Sequence, residues 1–211
     1  MNGVRGSYVA AIGAACIVHN FWVGEKLDCM DGRNNVQTYG RQWPMLVVFS
    51  GLPGTGKTAI ARELAREIGA MHLRIDSIEQ AIRSSAAVSQ SPNDAGYRVG
   101  YAIAEDNLRI GRTVIADSVN PLRLTRDAWV EVANRAQVNA IEIEVQCSDA
   151  DEHRRRVETR VTDIPRLRLP TWKEVISREY DRWDREHLVI DTAGRTVEHI
   201  VKILREALPE S

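Results

Sequence analysis

The segment Gly51-Leu52-Pro53-Gly54-Thr55-Gly56-Lys57-Thr58 constrains the fold of this chain more than any other feature. It matches the Walker A pattern G-x-x-x-x-G-K-[ST] at every fixed position. An apolar run precedes it and a helical pattern follows it, which is the strand–turn–helix context that the motif needs. Glycines let backbone N–H groups point at phosphate oxygens, and the helix N-terminus adds its positive dipole end. The segment therefore predicts a loop that binds ATP phosphates through Lys57, with the Thr58 hydroxyl on Mg²⁺.

Strand and helix patterns alternate over the rest of the chain. This alternation favours an α/β protein in which helices cover both faces of a parallel sheet. Ligands of such sheets bind beyond the carboxyl ends of the strands. In the strand predicted over 141–147, Glu142 and Glu144 alternate with apolar residues, which predicts one solvent-exposed face. A helix is predicted over 171–183, with Thr171 as its N-cap.

Composition narrows the classes of partner. The formal net charge of −1 argues against strong non-specific binding to nucleic acid. The three cysteines form no CxxC pair, which indicates a reducing, cytoplasmic setting without a structural disulfide or zinc site. The apolar run over 9–18 is too short and too interrupted to cross a membrane, so no membrane partner is expected.

The chain divides at its first predicted strand. Residues 1–44 carry no alternating pattern, and we expect them to be a poorly ordered N-terminal extension. Met45 stands directly before the strand, so the functional domain is expected over 45–211.

Two aspartates follow predicted strands and are candidates for chemistry. Asp117 ends the apolar run 113–116, where a carboxylate commonly holds Mg²⁺ near the phosphates, and its alternative role is a helix cap or turn residue. Asp76 ends the second strand and could accept the proton of an attacking hydroxyl group. Its alternative role is also a helix cap.

Arginines are concentrated between 154 and 168. Arg156 and Arg160 are one helical turn apart, so they could clamp a transferring phosphoryl group together. The alternative is a solvated basic helix face. Prolines bound the loop that follows, and we interpret the segment 154–170 as a mobile lid.

The sequence D-T-A-G at 191–194 is similar to a γ-phosphate-sensing element of GTPases. It lies far beyond the phosphate loop, however, and the chain contains no N-K-x-D guanine-reading motif. We therefore interpret Ala193 and Gly194 as a turn beside the adenine.

Four motifs together carry a family resemblance: GLPGTGKT at 51–58, RID at 74–76, VIADSVN at 114–120 and RRRVETR at 154–160. The chain resembles P-loop kinases of the nucleoside- and nucleotide-kinase-like group. Similar members are zeta-toxin-like kinases, chloramphenicol phosphotransferase, gluconate kinase and the kinase domain of polynucleotide kinases. The resemblance covers about residues 45–208 and implies a three-layer α/β/α fold around a five-stranded parallel sheet in the order 2-3-1-4-5.

The resemblance also implies roles for single residues. Lys57 and Thr58 would bind ATP phosphates and Mg²⁺, Asp76 would be the general base, and Asp117 would lie near the metal. The implied contacts to the acceptor are Asp76, Arg83, Asn120 and Arg126. The lid arginines would be Arg156 and Arg160, and the turn of Ala193 and Gly194 would lie near the adenine.

The leading hypothesis is an ATP- and Mg²⁺-dependent kinase, monomeric or homodimeric, that phosphorylates a hydroxyl group of a small molecule. One alternative is a 5′-hydroxyl polynucleotide kinase. It is disfavoured because Glu79 stands where those enzymes often carry an arginine after D-x-x, and the first arginine is Arg83. A third hypothesis is a nucleotide-dependent ATPase or switch without a small acceptor.

Overall fold

A computed structural model describes residues 44–85 and 94–209 of the 211-residue chain. The expectation of a poorly ordered extension over 1–44 therefore falls, apart from Pro44, outside the described residues. Among the helices in the described part of the chain, none combines the length and apolar character needed to cross a bilayer.

Five strands form one parallel sheet. The strands are β1 (Met45–Ser50), β2 (Met71–Arg74), β3 (Val114–Asp117), β4 (Asn139–Gln146) and β5 (Leu188–Asp191). Strands β1 and β3 are buried throughout, and the edge strands β2 and β5 are partly exposed. The order across the sheet is β2-β3-β1-β4-β5, which confirms the predicted parallel sheet and its strand order.

Helices connect successive strands and cover both faces of the sheet. They are α1 (Lys57–Ile68), α2 (Ile75–Ser84), α3 (Ala95–Arg109), α4 (Arg123–Ala136), α5 (Ala150–Thr159), α6 (Trp172–Ile176) and α7 (Val197–Ala207). Helices α1 and α7 pack on one face, and α3 and α4 pack on the other.

Strand β1 is central because both faces of the sheet use it. Val47 and Phe49 point into the core shared with α1 and α7, whereas Leu46 and Val48 point into the core shared with α3 and α4. All four side chains are fully buried. This continuous apolar run is typical of an interior strand of a parallel sheet, and it aims the chain directly at the segment that begins with Gly51.

The predicted helix over 171–183 is much shorter in the structure. Helix α6 keeps the predicted capping box of Thr171 and Glu174, but it ends at Ile176. The chain then runs without regular structure to Leu188, because it is held by contacts with other elements rather than by its own helical pattern. The backbone N–H of Asp181 donates to Pro121 O at 2.8 Å, and its side chain accepts from the N–H of Arg123 at 2.7 Å. Tertiary contacts therefore override a local preference for helix.

The same segment corrects the prediction of a solvent-exposed face on β4. Glu142 and Glu144 are only 8% and 9% exposed. Arg185 forms a two-pronged ion pair with Glu142, with one N–O distance of 2.8 Å, and also pairs with Asp127. His187 Nε2 lies 3.4 Å from a Glu144 carboxylate oxygen. The alternating pattern is present, but its two glutamate side chains are covered by the segment 177–187 and contact Arg185 and His187 instead of water.

We expect Arg185→Met to destabilise the fold by about 2–3 kcal/mol, because it leaves the buried Glu142 carboxylate without its main partner. The double variant Glu142→Gln/Arg185→Met should recover at least half of that loss, since no buried charge then remains unpaired. Urea unfolding at neutral pH measures both. Arg109→Met is the matched control, because its ion pair with Glu105 is on the surface and its side chain is 56% exposed. A double variant as unstable as the single one would contradict the explanation.

Candidate active site

Glycine is required at three positions of the loop between β1 and α1. The φ angles of Gly51, Gly54 and Gly56 are 133°, 88° and 94°, a region that favours glycine. A Cβ atom on Gly51 would lie 2.2 Å from Val145 O, and one on Gly54 would lie 2.4 Å from Val157 Cγ2. The loop is thus packed tightly against β4 and α5, which explains the spacing of glycines in the motif.

The loop also carries internal hydrogen bonds. Thr55 Oγ1 and Lys57 Nζ both donate to Leu52 O at 2.9 Å. His153 from α5 lies beneath the loop, and its Nε2 donates to Pro53 O at 2.9 Å. The segment 51–58 is therefore fixed in shape, and α1 begins at Lys57 as the motif predicts.

Lys57 carries its amine into a buried position with charges on several sides. Burial lowers the pKa of Lys57 to about 8, even though the carboxylates of Asp117 and Asp76 act to raise it. Arg160 and Arg178 lower that pKa further. The structure thus gathers two carboxylates and two guanidinium groups around one amine, which is an arrangement typical of functional sites.

Asp117 is the last residue of β3 and is 3% exposed. Burial would raise the pKa of its carboxyl group, but the hydrogen bond from His72, the charge of Lys57 and the hydrogen bond from Thr58 outweigh burial and hold this pKa below its usual value. His72 Nε2 lies 3.3 Å from Asp117 Oδ2. Asp117 is therefore an ionised strand-end carboxylate rather than a helix cap.

The pair of Asp117 and Thr58 fits the predicted role in holding a hard cation. An ionised carboxylate and a hydroxyl group are the oxygen ligands that Mg²⁺ takes in phosphate-binding sites, where water and phosphate supply the remaining ligands. The described residues contain no group of three or more His, Cys, Asp or Glu side chains that could hold a metal alone.

Asp76 stands at the second position of α2, while Arg74 is the residue that caps this helix. Its carboxylate influences the pKa of both Lys57 and Arg160. The prediction that Asp76 ends the second strand is thus corrected, since α2 begins at Ile75 directly after β2, and the position of helix cap belongs to Arg74. The charge of Asp76 acts on Lys57, while its role as general base stays a prediction.

The two predicted lid arginines separate in the structure. Helix α5 ends at Thr159, and Arg160 is its C-cap, whose N–H still donates to Arg156 O at 3.1 Å although its own backbone angles are extended. Arg156 donates to Thr192 Oγ1 at 2.7 Å, to Thr192 O at 3.0 Å and to Glu152 at 2.6 Å. The charge of Arg160 instead acts on Lys57, and the charge of Asp76 acts on Arg160. The predicted joint clamp is thus corrected: Arg156 is bonded to Thr192 and Glu152, and only the charge of Arg160 acts on the lysine.

The turn after β5 lies against the phosphate loop. Thr192 Oγ1 donates to Thr55 O at 3.0 Å, and the N–H of Gly194 donates to Glu152 at 3.0 Å. Ala193 donates its N–H to the Asp191 side chain at 3.1 Å. The turn is therefore fixed beside the loop, while the contact of Ala193 and Gly194 with adenine stays a prediction.

Two predicted acceptor contacts have structural positions instead. Asn120 is fully buried, and its Nδ2 donates to Phe49 O at 3.0 Å while its Oδ1 accepts from Trp129 Nε1 at 3.1 Å. Arg126 is 1% exposed, donates to Asp181 O at 3.1 Å and lies 4.3 Å over the Trp183 ring. Neither side chain is free for an acceptor, because backbone carbonyls and aromatic rings already hold it.

Arg83 pairs with Glu79 at 2.7 Å near the end of α2, and its side chain is 57% exposed. Its contact with an acceptor stays a prediction.

The structure adds residues that the sequence did not single out. His72 hydrogen-bonds to Asp117, and the charge of Arg178 acts to lower the pKa of Lys57 and of Glu79. Tyr97 from α3 accepts a hydrogen bond from the N–H of Asn120 at 3.3 Å, and burial raises its pKa to about 12. Strand register could have indicated His72, since it lies on β2 two residues before Arg74, the register partner of Asp117. No local pattern points to Arg178, because it lies in irregular chain.

A family model described as an AAA domain matches residues 46–179, which is more than half of the chain. Comparison with curated proteins finds none that matches the sequence.

Solved structures share the fold. The Mycobacterium tuberculosis APS kinase CysC, solved in complex with AMPPNP and APS, is 18% identical with a TM-score of 0.60, over 78% of this chain and 96% of that chain. Chaetomium thermophilum Kti12, in complex with ADP-AlF3, is 20% identical with a TM-score of 0.55, over 78% and 100% of the two chains. A gluconokinase from Sinorhizobium meliloti 1021 is 18% identical with a TM-score of 0.53, over 77% and 90%. The chain has the fold of nucleotide-kinase-like P-loop proteins.

We expect Asn120→Ala to lower the free energy of unfolding by about 3 kcal/mol, because it leaves the buried Trp129 Nε1 and Phe49 O groups without hydrogen-bond partners. The φ of 45° at this position adds strain for alanine. Urea unfolding measures the effect, with the exposed helical Asn134→Ala as the matched control. A loss below about 1 kcal/mol would contradict the role given to Asn120.

Proposed function

The chain belongs to the AAA-domain family, and from this premise we propose that it is an ATP- and Mg²⁺-dependent kinase that transfers the γ-phosphoryl group to a hydroxyl group of a small molecule. The observation that carries the proposal is the tightly packed glycine loop 51–58, which leads into α1 and buries the Lys57 amine. The charges of Asp117 and Asp76 both act on that amine. A phosphate-binding loop with a neighbouring carboxylate is what transfer to a hydroxyl needs.

In this proposal the loop and the cations around it bind and orient the triphosphate. Backbone N–H groups of 51–58 and the N-terminus of α1 hold the phosphate oxygens. Lys57 neutralises charge on the β- and γ-phosphates, and Arg160 adds a second positive charge that acts on Lys57. Because the chemistry of phosphoryl transfer consists mainly of positioning and charge stabilisation, these groups supply most of the catalytic effect.

Thr58 and Asp117 would hold the magnesium ion. When bound, Mg²⁺ neutralises charge on the phosphate oxygens. His72 keeps the Asp117 carboxylate ionised by donating to it, so that this oxygen ligand stays available at neutral pH.

Asp76 receives the proton in the transfer step. The acceptor oxygen forms its bond to the γ-phosphorus as the bond to the ADP oxygen breaks, and the hydroxyl proton passes to an Asp76 carboxylate oxygen. Products are the phosphorylated acceptor, ADP and a proton that Asp76 then releases to water. The segment 160–171 lies beside these groups and would limit the entry of water.

A screen of hydroxylated metabolites for transfer of labelled γ-phosphate, with wild type beside Lys57→Ala, identifies the acceptor. Oligonucleotides with a free 5′-hydroxyl belong in the screen, because labelling of these would support the polynucleotide-kinase alternative. ATP hydrolysis that no acceptor stimulates would contradict the proposal.

Asp76→Asn should lower kcat for transfer by about 10²–10⁴-fold, the usual contribution of a general base, because the amide cannot take the hydroxyl proton. ATP affinity should change little, since the loop remains intact. Steady-state kinetics and calorimetric ATP titration measure the two effects. Asp151→Asn is the matched control, because Asp151 holds the same second position in α5 and is exposed. Full activity of Asp76→Asn on the identified acceptor would exclude Asp76 as the base.

Affinity for Mg·ATP should fall as pH rises through about 8, the pKa of Lys57 in the free protein. The ammonium form binds phosphate and predominates below this pKa, whereas the neutral amine above it offers no charge. If only the ammonium form binds, the Kd rises by up to about tenfold per pH unit above the pKa. Calorimetric titrations between pH 6.5 and 9.5 measure the change. Lys57→Arg, which stays charged throughout, should show a flat profile, and an equally flat wild-type profile would contradict the prediction.

A further inference from the structure

A cavity of about 660 Å³ opens beside the edge strand β2, between α1, α2 and the segment 160–171. Its polar lining includes Arg62, His72, Arg74, Ser77, Gln80 and Asp163. Among the described residues that line it, Asp163 is the one acid. This described lining therefore has two arginines and a single carboxylate.

That carboxylate is held between the two arginines. Asp163 Oδ2 accepts from Arg62 at 2.6 Å, and Asp163 Oδ1 accepts from Arg74 at 2.6 Å. The hydrogen bonds from Arg74 and Arg62 lower the pKa of Asp163 to about 2, so the group is an anion at any physiological pH. The contact resembles the way in which arginines grip a bound oxyanion.

The two arginine side chains are not equally accessible. The Arg74 side chain is 16% exposed, whereas those of Arg62 and Asp163 are more than half exposed. Arg74 is thus built into the sheet edge, while Asp163 approaches from a surface loop.

Arg74 also keeps hydrogen-bonding capacity that Asp163 does not use. Its Nε atom is buried and has no partner in the described part of the chain, and the same is true of Arg160 Nε. The charge of Arg74 acts on Arg160, on which Asp76 acts too. Arg74 also precedes Asp76 by two residues at the start of α2. These unpartnered guanidinium donors, two residues before the predicted base in the case of Arg74, are left without acceptor oxygens from the described residues, and an oxyanion would supply them.

We propose that Arg62 and Arg74 form a binding site for an oxyanion group of the acceptor, a phosphate, sulfate or carboxylate, and that Asp163 occupies this site when no acceptor is bound. The inference rests on the proposed kinase function and narrows its substrate class to anionic hydroxy compounds. The acceptor's oxyanion displaces Asp163, takes the donors of both arginines and leaves the acceptor hydroxyl on the side of Asp76.

Exchange of this kind is energetically accessible. Ion pairs as exposed as that of Arg62 with Asp163 contribute little to stability, so releasing the loop costs little. A phosphate or sulfate group brings more charge and more acceptor oxygens than one carboxylate, and it gains charge-assisted hydrogen bonds from two arginines.

The first test uses inorganic sulfate as the probe and the full-length protein. The NMR signals of the arginine Nε–H groups, assigned with Arg62→Gln and Arg74→Gln, are followed during sulfate titration. The Arg74 signal should shift on saturation, and the apparent affinity should be roughly two- to fivefold tighter in Asp163→Asn, because the internal competitor loses its charge. The signal of Arg66, which pairs with Glu63 one turn along α1, is the internal control and should stay unchanged.

The second test compares acceptors that differ only in the anion. Each hydroxylated compound is assayed as the neutral form and as its carboxylate or phosphate ester. Arg74→Gln should raise KM for the anionic form at least tenfold and leave KM for the neutral form unchanged, whereas Arg66→Gln should change neither.

The outcomes separate this inference from the proposed function. An Arg74 signal that ignores sulfate even in Asp163→Asn overturns the oxyanion site, as does an equal change of KM for both acceptor forms in Arg74→Gln. If the wild type transfers phosphate to no acceptor, the kinase proposal fails, and the sulfate titration by itself decides whether the arginines bind an oxyanion.

Discussion

The buried positive charge of Lys57 is the constraint on which the rest of the site depends. An ammonium group in a position of low exposure costs free energy unless opposite charges compensate it. Asp117 and Asp76 supply that compensation from the ends of two neighbouring elements. Compensation is incomplete, because the pKa of the amine stays below its usual value. The site thus holds a cation that gains further stabilisation when an anionic ligand arrives.

Placing that charge requires a rigid frame. Strand β1 is buried on both faces and cannot shift without disturbing two cores. Asn120 fastens the end of β1 to α4 through Phe49 and Trp129, and the N–H of Gly51 donates to Val119 O at 3.1 Å. Asn120, which was expected to contact the acceptor, therefore aligns the strand that leads into the phosphate loop. It affects the site indirectly, by fixing the position of that loop.

Much of the fold could be predicted because local signals and tertiary structure agree. The glycine motif specifies the β1 loop and the start of α1, and apolar runs specify interior strands. Prediction failed where long-range contacts decide. The helical pattern after Ile176 loses to hydrogen bonds with Pro121 and Arg123, and Glu142 is buried because Arg185, more than forty residues away, covers it. Asp117 was found at a strand end from its position alone, whereas Asp76 lies in the first turn of α2 and not at the end of β2. The roles of the arginine side chains depend on partners that are distant in sequence, as the bonds from Arg156 to Thr192 show.

Three contacts hold helix α5 against the phosphate loop and the turn beside it. His153 bonds to Pro53, Val157 fills the space over Gly54, and Arg156 ties the helix to Thr192. A hinge motion that swings the whole of α5 would have to break all three contacts and distort the triphosphate cradle. A motion of the predicted lid over 154–170 would therefore be confined to the part after Thr159, where the backbone becomes extended, while α5 stays in place.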